Sequence, residues 1–314
     1  MASGQPDGWK SEGDAAVMIV FKDRREFIGI LICVISAVIF GLYPPASRGA
    51  YQDGANITFV ILVTTFCRFA GLYALAFMKK KKIFQDFHEY KTSLYAGIFQ
   101  ALSIIGILGG AFFMPGAVVI IIMFSYSLML LFFSAWRKEM KLNIANITST
   151  LTALLGLGMV LNIGSYGFSY PLIGIALAFM AAVATFARTY IFGQQSKKAR
   201  HPLVTGTETF AVASFLLLLL LFWELPEIPQ SSFGGLMTAT AALSLTLGSF
   251  GMFYGISYLG SYKFSMIMKL EPIFTTLFGI VLIGDVLAIP QYAGIVLVLA
   301  SLISLQLFDR QKTR

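Results

Sequence analysis

Four charged side chains fall inside long apolar stretches of this chain: Arg68, Arg188, Lys269 and Glu271. A charge within a membrane-spanning helix is costly and characteristically faces a protein interior or a water-filled cavity, so chemistry is to be sought at these positions first. Arg188 and Lys269 belong to different stretches, and each lies about six residues, roughly 9 Å, inside the basic end of its stretch. Two cations at one depth point to a site for an anion, a carboxylate above all. The alternatives are snorkelling of the long basic chains to the surface and internal pairing with Glu208 or Glu271 at comparable depth. Arg68 follows Ile57 by eleven residues and precedes Lys79 by eleven, which puts it roughly 16 Å from either end and near mid-depth. It either contacts substrate or bonds carbonyls and helix ends. Glu271 precedes Pro272, whose missing N–H leaves a carbonyl free. A carboxylate there would bind a proton or a substrate amine, or would belong to a structural helix break.

Around these charges, Gln100, Met123, Tyr126 and Tyr254 are the polar and adaptable side chains expected to line a shared cavity. Tyr43, Ser103 and Tyr258 lie on similar faces. Pro44 and Pro45 would either bend a gate or simply terminate a helix. No GxxxxGK[ST] phosphate loop is present, which excludes ATP hydrolysis through that motif. The two histidines, His88 and His201, fall in connectors, so a serine–histidine protease or a histidine-box oxidase is excluded. Cys33 and Cys67 both sit in apolar stretches, too few for a disulfide framework or a cysteine metal site. The expectation is a protein without cofactor, metal or catalytic residue, and not an enzyme.

The elements that must position these residues follow from composition. Of 314 residues, 57% are hydrophobic and 12% charged, with a mean hydropathy of +0.80; soluble chains carry about 25% charged residues. Most of the surface therefore faces something other than water. Ten runs have the roughly 20 apolar residues that cross the hydrocarbon core. They start near Phe27, Ile57, Ser93, Gly116, Asn143, Pro171, Leu203, Gly234, Phe264 and Pro290. They are continuously apolar instead of alternating, so the prediction is an all-α integral membrane protein with ten transmembrane helices. Of the 23 Lys and Arg, nineteen fall in alternate connectors and tails on one side, and only Arg48 falls on the other. Basic residues resist translocation, so both termini are expected in the cytoplasm, with the protein in the plasma (cell inner) membrane. The net charge of +8 then reads as topology, not as affinity for nucleic acid. Residues 1–26 read as a cytoplasmic tail and 309–314 as a second.

An offset of 146 residues relates Phe40-Gly41-Leu42-Tyr43 to Phe186-Ala187-Arg188-Thr189, Ser125 to Glu271, and Ile57 to Leu203. Five helices per repeat is an odd number, so residues 27–163 and 171–308 would be inverted five-helix repeats with a cavity at their interface near mid-membrane. The pairs Gly106/Gly110 and Gly251/Gly255 suit close helix approach within the chain or, less directly, a homodimer.

The stretch Leu270-Glu271-Pro272-Ile273-Phe274, with Leu277-Phe278-Gly279, Gly284-Asp285 and Gln291-Tyr292-Ala293-Gly294, resembles the signature of the EamA-type permeases of the drug/metabolite transporter superfamily. Cys67-Arg68-Phe69 and Phe40-Gly41 resemble other recurrent positions of that family. The resemblance spans 27–308. It implies alternating-access transport of small organic metabolites, often amino acids, with the fifth and tenth helices peripheral. The resulting expectation is a secondary transporter of a small polar metabolite, an amino acid or related carboxylate, working among membrane lipids with proton or ion coupling open. Nucleotide-type or cationic substrates, or a non-transporting protein handling lipid, are the alternatives.

Overall fold

The computed structural model of the chain describes residues 24–84, 87–166, 170–284 and 286–311. Most of the N-terminal tail, Asp285 of the quoted signature and the last three residues lie outside the described residues.

Every described element is helical: α1 Arg24–Gly41, α2 Tyr43–Gln52, α3 Ile57–Met78, α4 Phe87–Phe113, α5 Gly116–Phe124, α6 Tyr126–Trp136, α7 Ile144–Val160, α8 Leu172–Lys197, α9 Pro202–Leu217, α10 Ser232–Ile267, α11 Glu271–Ile283 and α12 Ile289–Gln311. Short 3₁₀ turns occupy Ile163–Tyr166, Leu218–Phe222 and Met268–Leu270. Local chemistry sets the starts. The Asn56 side chain accepts from Phe59 N at 2.9 Å, and the Ser231 hydroxyl accepts from Gly234 N, so each satisfies one of the donors that a helix N-terminus leaves unpaired. Pro44 and Pro45 stand in the first turn of α2, where a missing N–H costs nothing.

Seven stretches are long and apolar enough to cross a membrane: 24–52, 57–78, 90–113, 116–136, 172–197, 202–222 and 232–282; α7 and 289–305 are shorter apolar helices. The 232–282 stretch is broken at Gly260, whose φ of 77° lies outside helical space. A side chain is strained there, and glycine is not.

The bundle is held together by small residues at helix crossings. A Cβ on Gly106 would stand 2.7 Å from Leu177 O, so α4 and α8 approach backbone to side. Gly251 and Gly255 lie against Ser36 and Cys33 of α1 in the same way. Both GxxxG pairs are thus engaged inside the chain. α7 and α12 pack chiefly on one another, and Gly156 and Gly294 face each other across that crossing. The outer rows of Leu, Ile and Phe, such as Leu155, Leu172, Phe215 and Phe222, are exposed, as suits contact with lipid.

Candidate functional site

A cavity of about 280 Å³ lies inside the bundle. It is walled by α1 and α2 (Phe40, Tyr43, Pro44), α3 (Thr64, Thr65, Arg68), α4 (Gln100, Ser103, Ile104, Ile107), α5 and α6 (Met123, Tyr126), α8 (Thr185, Arg188), α10 (Leu245, Ser249, Met252) and the start of α11 (Glu271). α7 and α12 contribute no lining residue. Its lining includes Arg68, Arg188, Glu271, Gln100 and Tyr126, and the remainder is largely aliphatic and aromatic, with five hydroxyls from Thr64, Thr65, Ser103, Thr185 and Ser249.

Arg188 Nη1 donates to Gln100 Oε1. The Arg68 guanidinium lies 4.8 Å from the centre of the Phe210 ring, a cation–π contact that holds it without neutralising it. The Nε atoms of both arginines are buried without a hydrogen-bond partner among the described residues. Glu271 makes no ion pair within 4.0 Å with either guanidinium, although all three line the same cavity. Two cations and one carboxylate therefore share a low-dielectric chamber within Coulombic reach but without a contact ion pair. Unpaired charge in such a place is expensive, and a ligand with both a negative and a positive group would relieve it.

Of the residues singled out from the sequence, Arg68, Gln100, Met123, Tyr126, Arg188, Glu271 and Pro44 come together at this cavity; Pro45, buried in α2, is not part of the lining. Lys269 and Tyr254 do not reach it. Lys269 is 0% exposed, and its ammonium nitrogen lies 3.1 Å from Met266 Sδ. The reason is register: Lys269 stands two residues before Glu271, about 200° or more around the helix, whereas Met268 and Glu271, three residues apart, share the cavity face. At the cavity Arg188 is accompanied by Arg68 and not, as expected, by Lys269. Tyr254 sits two residues from the cavity-lining Met252, about 200° around the helix, and its ring meets His201 edge-on at 6.3 Å. Partial burial, then Lys81 and Lys79, hold the His201 imidazole below its ordinary pKa. Glu208 is also unavailable to Arg188 and Lys269, since it pairs with Arg200 at 2.6 Å and accepts from Phe84 N. Thr64, Thr65, Thr185 and Ser249 were not anticipated; Thr64, Thr65 and Thr185 lie three or four residues from Arg68 or Arg188, the spacing that shares a helix face.

A second, larger space of about 810 Å³ opens at the face carrying the basic connectors. Arg25, Glu139, Lys141, Asn146, Gly193, Lys197, Ser261 and Lys263 are among its walls, and none of its lining residues touches the central cavity. Lys197 pairs with Glu139 at 2.8 Å. Partial burial pushes the Glu139 carboxyl up, but hydrogen bonds from Lys197, Tyr190 and Gln194 outweigh it and hold the group below its ordinary pKa. At the opposite face the 53–58 and 224–231 segments are stitched together. Ser231 N and Oγ donate to Asp53 at 2.7 Å each, Asn56 Nδ2 donates to Leu225 O, and Thr58 Oγ1 donates to Glu224.

No curated protein matches the chain. A solved structure, described only as the crystal structure of a protein, is 16% identical, with a TM-score of 0.72, and the match covers 88% of this chain and 97% of that one; the likeness is one of fold. Residues 172–306 match the model of the EamA-like transporter family. The resemblance to EamA-type permeases therefore holds over 172–306, somewhat less than half of the sequence, and the chain is a multi-pass membrane protein with a segment similar to the EamA-like transporters.

Proposed function

We propose that the protein is a secondary transporter that carries a small polar metabolite, an amino acid or close carboxylate relative, through the central cavity by alternating access. Arg68 and Arg188 hold the carboxylate, Glu271 takes the amine or a coupling proton, and the aliphatic wall takes the side chain. The observation that carries this reading is the coexistence of Arg68, Arg188 and Glu271 in one cavity without direct pairing. The volume, just under the roughly 300–1,000 Å³ of pockets for drug-sized ligands, suits a molecule of amino-acid size.

The architecture belongs to the same proposal. At 1.5 Å per residue the 51-residue stretch 232–282 is about 77 Å long, more than twice the hydrocarbon thickness. Counting it as two crossings, and α7 and α12 as one each, gives ten. Residues 27–163 and 171–308 are then the two inverted repeats, and the packing supports them: α4 on α8 is matched by α10 on α1, and α4 on α9 by α10 on α3. The basic face is taken as cytoplasmic, both termini included, in the plasma membrane.

The test is ligand-dependent thermal stability across amino acids, carboxylates, nucleotides and organic cations, followed by flux in liposomes. A ligand at 100 times its dissociation constant adds about 2.7 kcal/mol. A shift with amino acids that is lost in both Arg68→Ala and Arg188→Ala supports the reading; stabilisation by cations alone overturns it.

A further inference from the structure

We propose that the contact of Ser261 with Thr189 and Gly193 is the closed inner gate between the basic-face vestibule and the central cavity. The inference rests on the transport reading but makes a claim of its own about which atoms separate the two spaces. Along α8, Thr185 and Arg188 line the cavity, and Gly193 and Gln194 line the vestibule. The barrier is thus about five residues deep, roughly 7.5 Å. Along α10 the change is as abrupt: Ser261 and Tyr262 face the vestibule, and Phe264 faces the cavity. At this boundary Ser261 Oγ donates to Thr189 O at 2.8 Å, and both residues are buried.

Two features make this contact separable. Gly193 has no side chain, and Ser261 fills the space a Cβ would need, so at this point the two helices meet through one hydroxyl; their large-side-chain contact, Phe192 on Phe253 at 4.6 Å, lies on the other side of Gly260 in α10. The preceding residue, Gly260, has φ 77° and nothing within 4 Å of where its Cβ would be. It is a backbone position with both the freedom and the room to turn, and hinge motions are absorbed at a few such residues. Rotation there carries Ser261 off α8 and joins the vestibule to the cavity beside Phe264.

The geometry supplies its own test. A Cβ on Gly193 would stand 3.5 Å from Ser261 Cβ, within the spacing of a disulfide. The full chain is prepared with Cys33→Ala and Cys67→Ala, and Gly193→Cys and Ser261→Cys are added together with Met123→Cys as a reporter inside the cavity. A membrane-impermeant maleimide is presented to whichever vesicle face labels Lys141→Cys, a vestibule position. The expected result is that Met123→Cys labels in the reduced protein, falls to background when the pair is oxidised and recovers on reduction, while Lys141→Cys labels throughout. Ser261→Ala, which needs no cross-link, raises the labelling rate about fivefold, the effect of one lost hydrogen bond on a two-state opening. Failure of the disulfide to form, or reporter labelling that is absent in the reduced protein or indifferent to oxidation, overturns the gate. Labelling requires no substrate, so a gate that closes on oxidation in a protein that moves none of the compounds tried sinks the transport reading and leaves the gate standing.

Discussion

Arg188 of α8 donates through Nη1 to Oε1 of Gln100 on α4, and its Nε keeps no partner among the described residues. The amide fixes the plane of the guanidinium before any ligand arrives and adds no charge. Such orientation lowers the entropy cost of binding without satisfying the cation. Arg188→Gln is therefore expected to weaken an amino acid ligand by about 10- to 150-fold, the effect of losing a charged hydrogen bond of about 1.5–3 kcal/mol. Gln100→Leu is expected to weaken it by only about fivefold. Calorimetric dissociation constants check the order, and equal small losses in the two variants would count against Arg188 as a ligand group.

Glu271 is the carboxylate of the cavity, and it opens α11 beside Pro272. If it carries the coupling proton, Glu271→Gln transports without response to an imposed pH gradient while the parent responds. If it instead holds the substrate amine, the same variant keeps its pH response and loses preference for amino acids over the matching simple carboxylates. A variant that behaves as the parent on both counts removes Glu271 from the mechanism.

Lys269 is 0% exposed with a thioether as its hydrogen-bond partner, so nothing about substrate binding should depend on it. Replacement of a buried charge by an apolar group of similar volume is often neutral or stabilising by about 1–4 kcal/mol. Lys269→Met is expected to leave ligand affinity unchanged and to raise the melting temperature or leave it level. A tenfold loss of affinity would return Lys269 to the site.

What was legible in the sequence divides along physical lines. Helical crossings came from continuous apolar length, and seven of the stretches stand out by that measure alone. Arg68, Arg188 and Glu271 were legible as residues facing an interior cavity because a charge inside an apolar stretch has few places to point. Depth alone did not separate Lys269 from the cavity, although it stands two residues, about 200° of turn, before Glu271 and so on another face. Nor could the sequence tell that Glu208 is held by Arg200, eight residues before it, and by the Phe84 amide, more than a hundred residues away. The stitching of Asp53 and Asn56 to 225–231 was invisible for the same reason.

Asp53, beyond the end of α2, accepts first from the Ser231 hydroxyl and then from the Ser231 backbone N–H, and these bonds hold its carboxyl below the ordinary value. A group whose pKa is lower when folded contributes stability that is present above its unfolded pKa, about 3.9, and lost as pH falls through the folded value. The parent should therefore exceed Asp53→Asn in melting temperature at pH 6, and the gap should narrow below about pH 4. A gap independent of pH would show that the hydrogen bonds matter and the charge does not.

Gly294 belongs to the Gln291-Tyr292-Ala293-Gly294 stretch quoted for its family resemblance, and its place in the fold gives that glycine a reason. A Cβ there would stand 2.6 Å from Gly156 O and 2.6 Å from Val160 N, both backbone atoms of α7 that cannot rotate away. The α7–α12 pair lies outside the cavity lining, so a clash at this crossing should act on stability and not on recognition. Overpacking of this kind costs about 1–3 kcal/mol. Gly294→Ala is expected to lower the melting temperature while the dissociation constant of whatever ligand is retained stays within about twofold, and Gly156→Ala, which meets Gly294 O at 2.9 Å, should do the same. Because the two positions share one contact, the double variant should not show the sum of the two losses. Additive losses would mean that the helices are not in contact at these glycines, and the packing of α7 on α12 would have to be redrawn.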